Sequence, residues 1–281
     1  MKKILSIIVL MLSLTILFGC DQEEELRQVN IQVVSDTGIE IALGGSDRTP
    51  NSYNWLTTIT TSSFNKMISD LYPEGFSFHE VTSPDGTVFF KMGVSQMIEV
   101  QEGFLEIPIH FRSDSAQSIA LSMFNLGSYG SPWTSDIDFI DSKNNQVLAG
   151  DQMTVYLADA LRFSLSTDED IFVFEKPVSG TNTQLGDVTS YDTDHLRGSA
   201  SYYVAKTQSI PMLMTSFDLP DMTELSAPVT ILQLDQVDEN VFGASYYGMV
   251  VLRVWYELLD LESYQITLSE QMELSLGFRG E

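Results

Sequence analysis

Cysteine occurs once in the 281 residues, at position 20. A single thiol excludes an internal disulfide framework, so the fold must be held by burial alone. Histidine is nearly as scarce. His79, His110 and His195 stand far apart, and none has a second histidine four residues away on a helical pattern, the spacing of many zinc hydrolases. Each reads as a surface residue, His110 on the polar face of a strand, and a zinc centre would have to be assembled from distant segments. Gly-x-Ser-x-Gly is absent, and Gly127-Ser128-Tyr129-Gly130-Ser131 has no strand-turn-helix context, so it reads as a glycine-permitted turn. Cations are few: 14 Lys and Arg face 39 Asp and Glu, a formal charge of −25. Nucleic-acid affinity rests on neutralising phosphates with Lys and Arg, which excludes DNA and RNA as expected partners. Cations and basic proteins remain open, and the charge also serves solubility. The apolar run Ile4 to Phe18 is fifteen residues long, short of the roughly 20 that a membrane-spanning helix needs.

That run is what the chain has instead of a span. Lys2 and Lys3 precede it, Gly19 follows it, and Cys20 closes it, the order of a secretory signal with a small residue before the cut. Leu17-Phe18-Gly19-Cys20 resembles the lipobox of bacterial lipoproteins. The resemblance implies diacylglycerol on the Cys20 thiol, cleavage before it, and a mature chain attached to a membrane through that lipid, with no thiol left for redox or nucleophilic chemistry. Removing residues 1–19 takes away Lys2 and Lys3 and no acid, which lowers the formal charge from −25 to −27. Asp21-Gln22-Glu23-Glu24-Glu25 then reads as an acidic tether over 20–28. It also resembles the surface-export signal of Bacteroidetes lipoproteins, whereas a Gram-positive cell would need no such sorting. The expected location is extracytoplasmic in either case.

From Val29 the pattern has period two. Ile31 and Val33, then Ile39, Ile41 and Leu43, predict two strands turned at Ser35-Asp36-Thr37-Gly38. Phe64, Met67, Ile68 and Leu71 predict one helix over Ser63 to Tyr72, capped by Ser62 or Ser63 and stopped by Pro73. Leu105, Ile107, Ile109 and Phe111 predict a half-buried strand, with Pro108 placing it at a sheet edge or beside a bulge. Further strands are expected over 88–91, 119–124, 154–157, 161–165, 171–174, 202–205, 229–234, 249–256 and 272–278. There is no internal repeat and no low-complexity linker. Many short strands without crossover helices predict an all-β chain, an antiparallel jelly-roll-like β-sandwich over 29–281 with one short helix. Two β-domains divided near Gly180 are the alternative.

Three segments, Glu106 to Gln117, Ala158 to Ser164 and Val250 to Glu257, together resemble exported β-sandwich proteins of low-GC Gram-positive bacteria, of the TasA and camelysin type of matrix-fibre protein. The resemblance implies a matrix or structural role. Those proteins usually carry a conventional signal, and a protomer tethered by its N-terminus is not free to donate that strand to a neighbour.

Ligand candidates are sparse. Asp136, Asp138, Asp141 and Asn144, and likewise Asp187, Asp192 and Asp194, put oxygen ligands suited to calcium in loops. Neither group follows the Asp-x-Asp-x-Asp-Gly pattern, and loop acids bonding their own backbone are the simpler reading. Tyr129 and Trp133, within a loop expected over Gly127 to Trp133, could stack on a sugar ring, with Trp55 behind Tyr53 as a second candidate. Trp255 belongs to a core strand. No catalytic residue, metal or cofactor is indicated. The expected function is a lipid-anchored surface protein that binds glycans or matrix and surface proteins. The alternative is an extracellular hydrolase using paired carboxylates or a loop-assembled metal.

Overall fold

A computed structural model describes residues 29–45, 52–93, 97–140, 145–176, 182–183, 205–206, 222–223, 227–258 and 272–281. The signal, Cys20 and the tether lie outside the described residues, as do His195, Asp141, Asn144, the acids of 187–194 and most of the strand expected over 202–205. Along the chain the strands are β1 (Val29–Ser35), β2 (Ile39–Leu43), β3 (Thr58–Ile59), β4 (Glu80–Val81), β5 (Phe89–Met92), β6 (Met97–Val100), β7 (Leu105–Ser113), β8 (Ser118–Ser128), β9 (Ser131–Thr134), β10 (Phe139–Ile140), β11 (Gln146–Val147), β12 (Gln152–Val155), β13 (Leu161–Ser166), β14 (Ile171–Glu175), β15 (Asn182–Thr183), β16 (Val229–Gln233), β17 (Asp235–Gln236), β18 (Tyr246–Glu257) and β19 (Met272–Gly280). Among the described residues the α-helices are α1 (Thr61–Leu71) and the single turn α2 (Glu239–Phe242), with a 3-10 turn at Leu157–Asp159. The chain is all-β. Among the described residues, no helix is long and apolar enough to cross a membrane.

Two sheets carry the fold. The first runs β15-β8-β19-β1-β3 with β16 also on β8, and the second runs β14-β13-β18-β7-β2 with β17 and β4 also on β18. Their inner faces meet through rings, Phe111 of β7 against Phe278 of β19 at 5.0 Å and Phe124 of β8 against Phe163 of β13 at 5.3 Å, both edge to face. The period-two pattern produces this directly: Ile31, Val33, Ile107, Ile109, Leu252, Val254, Leu274 and Leu276 are all buried in one cluster. In each sheet a strand from after Gly180 lies between two from before it, β19 between β8 and β1 and β18 between β13 and β7.

The pairing departs from a simple antiparallel reading at two places. β1 and β19 run parallel from Val29 beside Met272 to Ser35 beside Phe278, and β4 runs parallel to β18. β1 and β2 do not pair with each other either: the Asp36–Gly38 turn carries the chain from the first sheet to the second, with Gly38 at φ +93.

Pro108 is not on an edge strand, because β7 has β18 on one side and β2 on the other. Its carbonyl accepts from the Gly44 N–H at 3.4 Å, so its backbone faces the β2 side, just past the last pair of that strand, Leu43 with Ile109. The missing N–H therefore falls at the end of the ladder, where one bond to Gly44 goes unmade and the Gly44 carbonyl is met instead by His110 Nε2 at 3.4 Å. In α1 the cap is Thr60, whose hydroxyl accepts from the Ser63 N–H, rather than Ser62 or Ser63. Phe64 and Met67 are buried in the main cluster, with Ile68 and Leu71 packed beside them.

Part of the outer face of the second sheet is also covered. Trp255 is fully buried, but against Phe89, Phe104, Val81 and Val173 instead of the inter-sheet core. Beside it Arg162, 1% exposed, lies between Glu175 at 2.9 Å and Glu257 at 2.6 Å, and Lys176 meets Asp159 at 2.6 Å. All five charged residues are buried.

Candidate binding face on the second sheet

The uncovered part of that outer face is set by strand register. On β2, β7 and β18 the residues between the core positions line up in rows: Glu40, Arg112 and Tyr247; Ala42, His110 and Met249; Pro108 and Val251; Glu106 and Arg253. Leu56 bridges Ile41 and brings Tyr53 and Trp55 over the first two rows. The Tyr53 ring stacks on His110 at 4.2 Å, and its hydroxyl donates to the Gly45 carbonyl at 3.1 Å.

His110 is thereby 1% exposed, which corrects its reading as a surface residue. Nε2 lies 3.4 Å from the Gly44 carbonyl, which only accepts, so Nε2 carries the proton and Nδ1 accepts from the Tyr247 hydroxyl at 2.7 Å. Burial pulls the imidazole pKa down to about 4, against a smaller upward pull from the Gly44 bond. Burial likewise pushes the Tyr247 phenol up to about 12. At neutral pH both groups are uncharged and bonded to each other.

Arg112 holds the next row together. It donates to Glu40 at 2.6 Å and to the Phe242 carbonyl at 3.0 Å, while its guanidinium lies 4.5 Å from the Trp55 ring centre. Gly243 closes α2 at φ +68, and a Cβ there would stand 2.9 Å from Arg112 Nη1, so both the turn and the guanidinium require glycine. Trp55 and Tyr247 meet edge to face at 6.4 Å and stay partly exposed. The face thus offers two rings fixed by bonds beneath them.

From Tyr247 it continues into a groove of about 470 Å³. Met249, Val251, Ile231 and Leu232 are apolar parts of its lining, and Asp168, Glu169, Asp170 and Asp235 are its acids. Thr167 caps the β13–β14 turn by accepting from the Glu169 and Asp170 N–H groups, which leaves those acids on an exposed rim.

The expected site residues lie elsewhere. Gly127 to Trp133 is not a loop: β8 runs through Ser128, β9 starts at Ser131, and only Tyr129 and Gly130 link them. Gly130 sits at φ +80 and a Cβ on it would meet the Tyr156 ring at 2.6 Å. Tyr129 is 78% exposed at this turn. Trp133 is partly buried, packed on the main core and on Phe139 and Val147.

Of the calcium candidates, Asp138 accepts from the Ala149 N–H at 2.7 Å and Asp136 pairs with Lys206. His79 is exposed. Among the described residues no group of three or more His, Cys, Asp or Glu assembles as a metal site.

Sequence reasoning missed the Tyr53–His110–Tyr247 stack, because its covering segment comes from 50 or more positions away. The one available signal was Tyr and Trp two residues apart, at 53 and 55, in an otherwise polar stretch. No family model, no curated protein and no solved structure matches the chain.

Proposed function

We propose that the chain is a lipoprotein, anchored outside the cytoplasmic membrane through Cys20, whose sandwich is a non-catalytic binding module. Its ligand face is the outer side of the second sheet, where Trp55 and Tyr247 lead into the groove. The observation that carries this is the state of the polar groups: His110, Tyr247 and Arg112 are committed to each other, to Glu40 and to backbone carbonyls. What stays open to a ligand is ring surface and a lined hollow, an arrangement that holds a molecule without activating it. Glycans and matrix or surface proteins are the ligand classes such rings suit. Away from that face, Tyr129 adds a further exposed ring, with Trp133 as the packed support of its turn. The resemblance to TasA and camelysin-type proteins favours a matrix setting.

Two measurements test the reading. Full-length protein should enter the detergent phase on phase partitioning while Cys20→Ala stays aqueous, and equal partitioning of the two would overturn the anchor. On a glycan array and on immobilised cell-surface protein fractions, Trp55→Ala should reduce retention about tenfold with little change in melting temperature, since the ring is only partly buried. Retention unchanged in Trp55→Ala would remove this face from the proposal.

A further inference from the structure

Along one edge β18 is flanked by two strand ends instead of one continuous strand. β13 covers it from Val251, opposite Ser166, to Tyr256, and β17 covers Tyr246 and Tyr247. Among the described residues no strand lies beside Gly248, Met249 and Val250 on that edge. The direction of the backbone there is fixed by bonds on either side. The Ser245 carbonyl accepts from the Val237 N–H and the Glu257 N–H donates to the Ala160 carbonyl, both on this edge. Backbone groups of a strand alternate edges with period two. Met249 is in step with 245 and 257, so its N–H and C=O point into the gap.

That gap lies within the groove, and the groove's charge is one-sided. Asp168, Glu169 and Asp170 stand on the β13–β14 turn and Asp235 on β17, at the two strand ends that bound the gap. The cation in the lining, Arg253, is already held by Glu106 at 2.7 Å and by the Ser166 hydroxyl at 2.7 Å. Among the described residues, a donor and acceptor left between two ladder ends, an apolar floor and four carboxylates describe the complement of an extended, basic chain.

We propose that the groove takes an extended Lys- or Arg-bearing segment of a partner protein. One residue of that segment pairs with the Met249 backbone as a short added strand, and its cationic side chains meet the carboxylates of the rim. This rests on the reading of the outer face as a binding surface and names the class of partner.

The test titrates full-length protein calorimetrically with acetyl-Lys-Val-Lys-Val-Lys-amide, with the same peptide N-methylated at each internal amide in turn, and with its Glu-for-Lys counterpart. The basic peptide should bind and the acidic one should not. At least one N-methylated peptide should lose about tenfold in affinity, because it keeps the charge but cannot pair with Met249. The variant D168N/D170N/D235N should lose at least about tenfold, while E74Q/E99Q/E273Q, which removes three exposed acids from outside the groove lining, should stay within about twofold. Equal losses in the two variants, or indifference to every N-methylation, would mean diffuse charge attraction and would overturn the proposal. If the basic peptide fails to bind while Trp55→Ala still abolishes retention on another ligand, the binding face stands and this partner class is wrong.

Discussion

His110 is a neutral imidazole sealed under Tyr53, and its protonation is coupled to folding. Its folded pKa, about 4, lies below the ordinary value of 6.5. Between those values the unfolded chain binds a proton that the folded chain does not, so stability falls as pH drops from about 6.5 to about 4 and the loss is complete below that. The cost is on the order of 3 kcal/mol for a shift of this size. Urea unfolding across this range should show the loss in the wild-type protein and a smaller one in His110→Gln, with the carboxylate contribution common to both. Parallel curves for the two proteins would place the acid sensitivity elsewhere. Nothing in the sequence around position 110 shows this, because strand alternation reports which side of a sheet a residue faces and not what lies over it. Arg162, Glu175 and Glu257 illustrate the same limit: they alternate like solvent-facing charges and are buried under a third layer.

Elements were more legible than their partners. Alternation over 105–111, 161–165, 249–256 and 272–278 locates β7, β13, β18 and β19 because each strand is half-buried and its period is local. Pairing is not local, and Ser35 to Gly38 looks like a hairpin turn although it joins strands of different sheets. The segment β16–β17 makes the same kind of switch within eight residues, from β8 to β18. Its passage is made possible by Gly248, where a Cβ would stand 3.0 Å from both Leu232 and Leu234. Gly248→Ala should therefore destabilise the fold by about 1–3 kcal/mol through overpacking, even though alanine suits a strand better than glycine. Chemical denaturation measures it, and a neutral or stabilising result would mean that the leucines move aside freely.

At the scale of the whole molecule, the interleaving of early and late strands governs unfolding. β19 lies between β8 and β1, and β18 between β13 and β7, so neither half of the chain owns a complete sheet. The described sandwich should unfold in a single transition, with tryptophan fluorescence and far-ultraviolet circular dichroism giving coincident curves. Curves with separate midpoints would show that one sheet survives the loss of the other.

The parallel run of β1 beside β19 also sets a direction for mechanical load. Val29 and Leu105 share a hollow of about 430 Å³ at one end of the sandwich, while Ser113, Tyr246 and Ile39 are register partners at the other, next to Tyr247 of the groove lining. An anchor pulling at Val29 and a partner pulling at the groove would stretch the protein along its strands. Tension would then enter β1 lengthwise, and its seven paired positions with β19 would have to slide together instead of parting one after another.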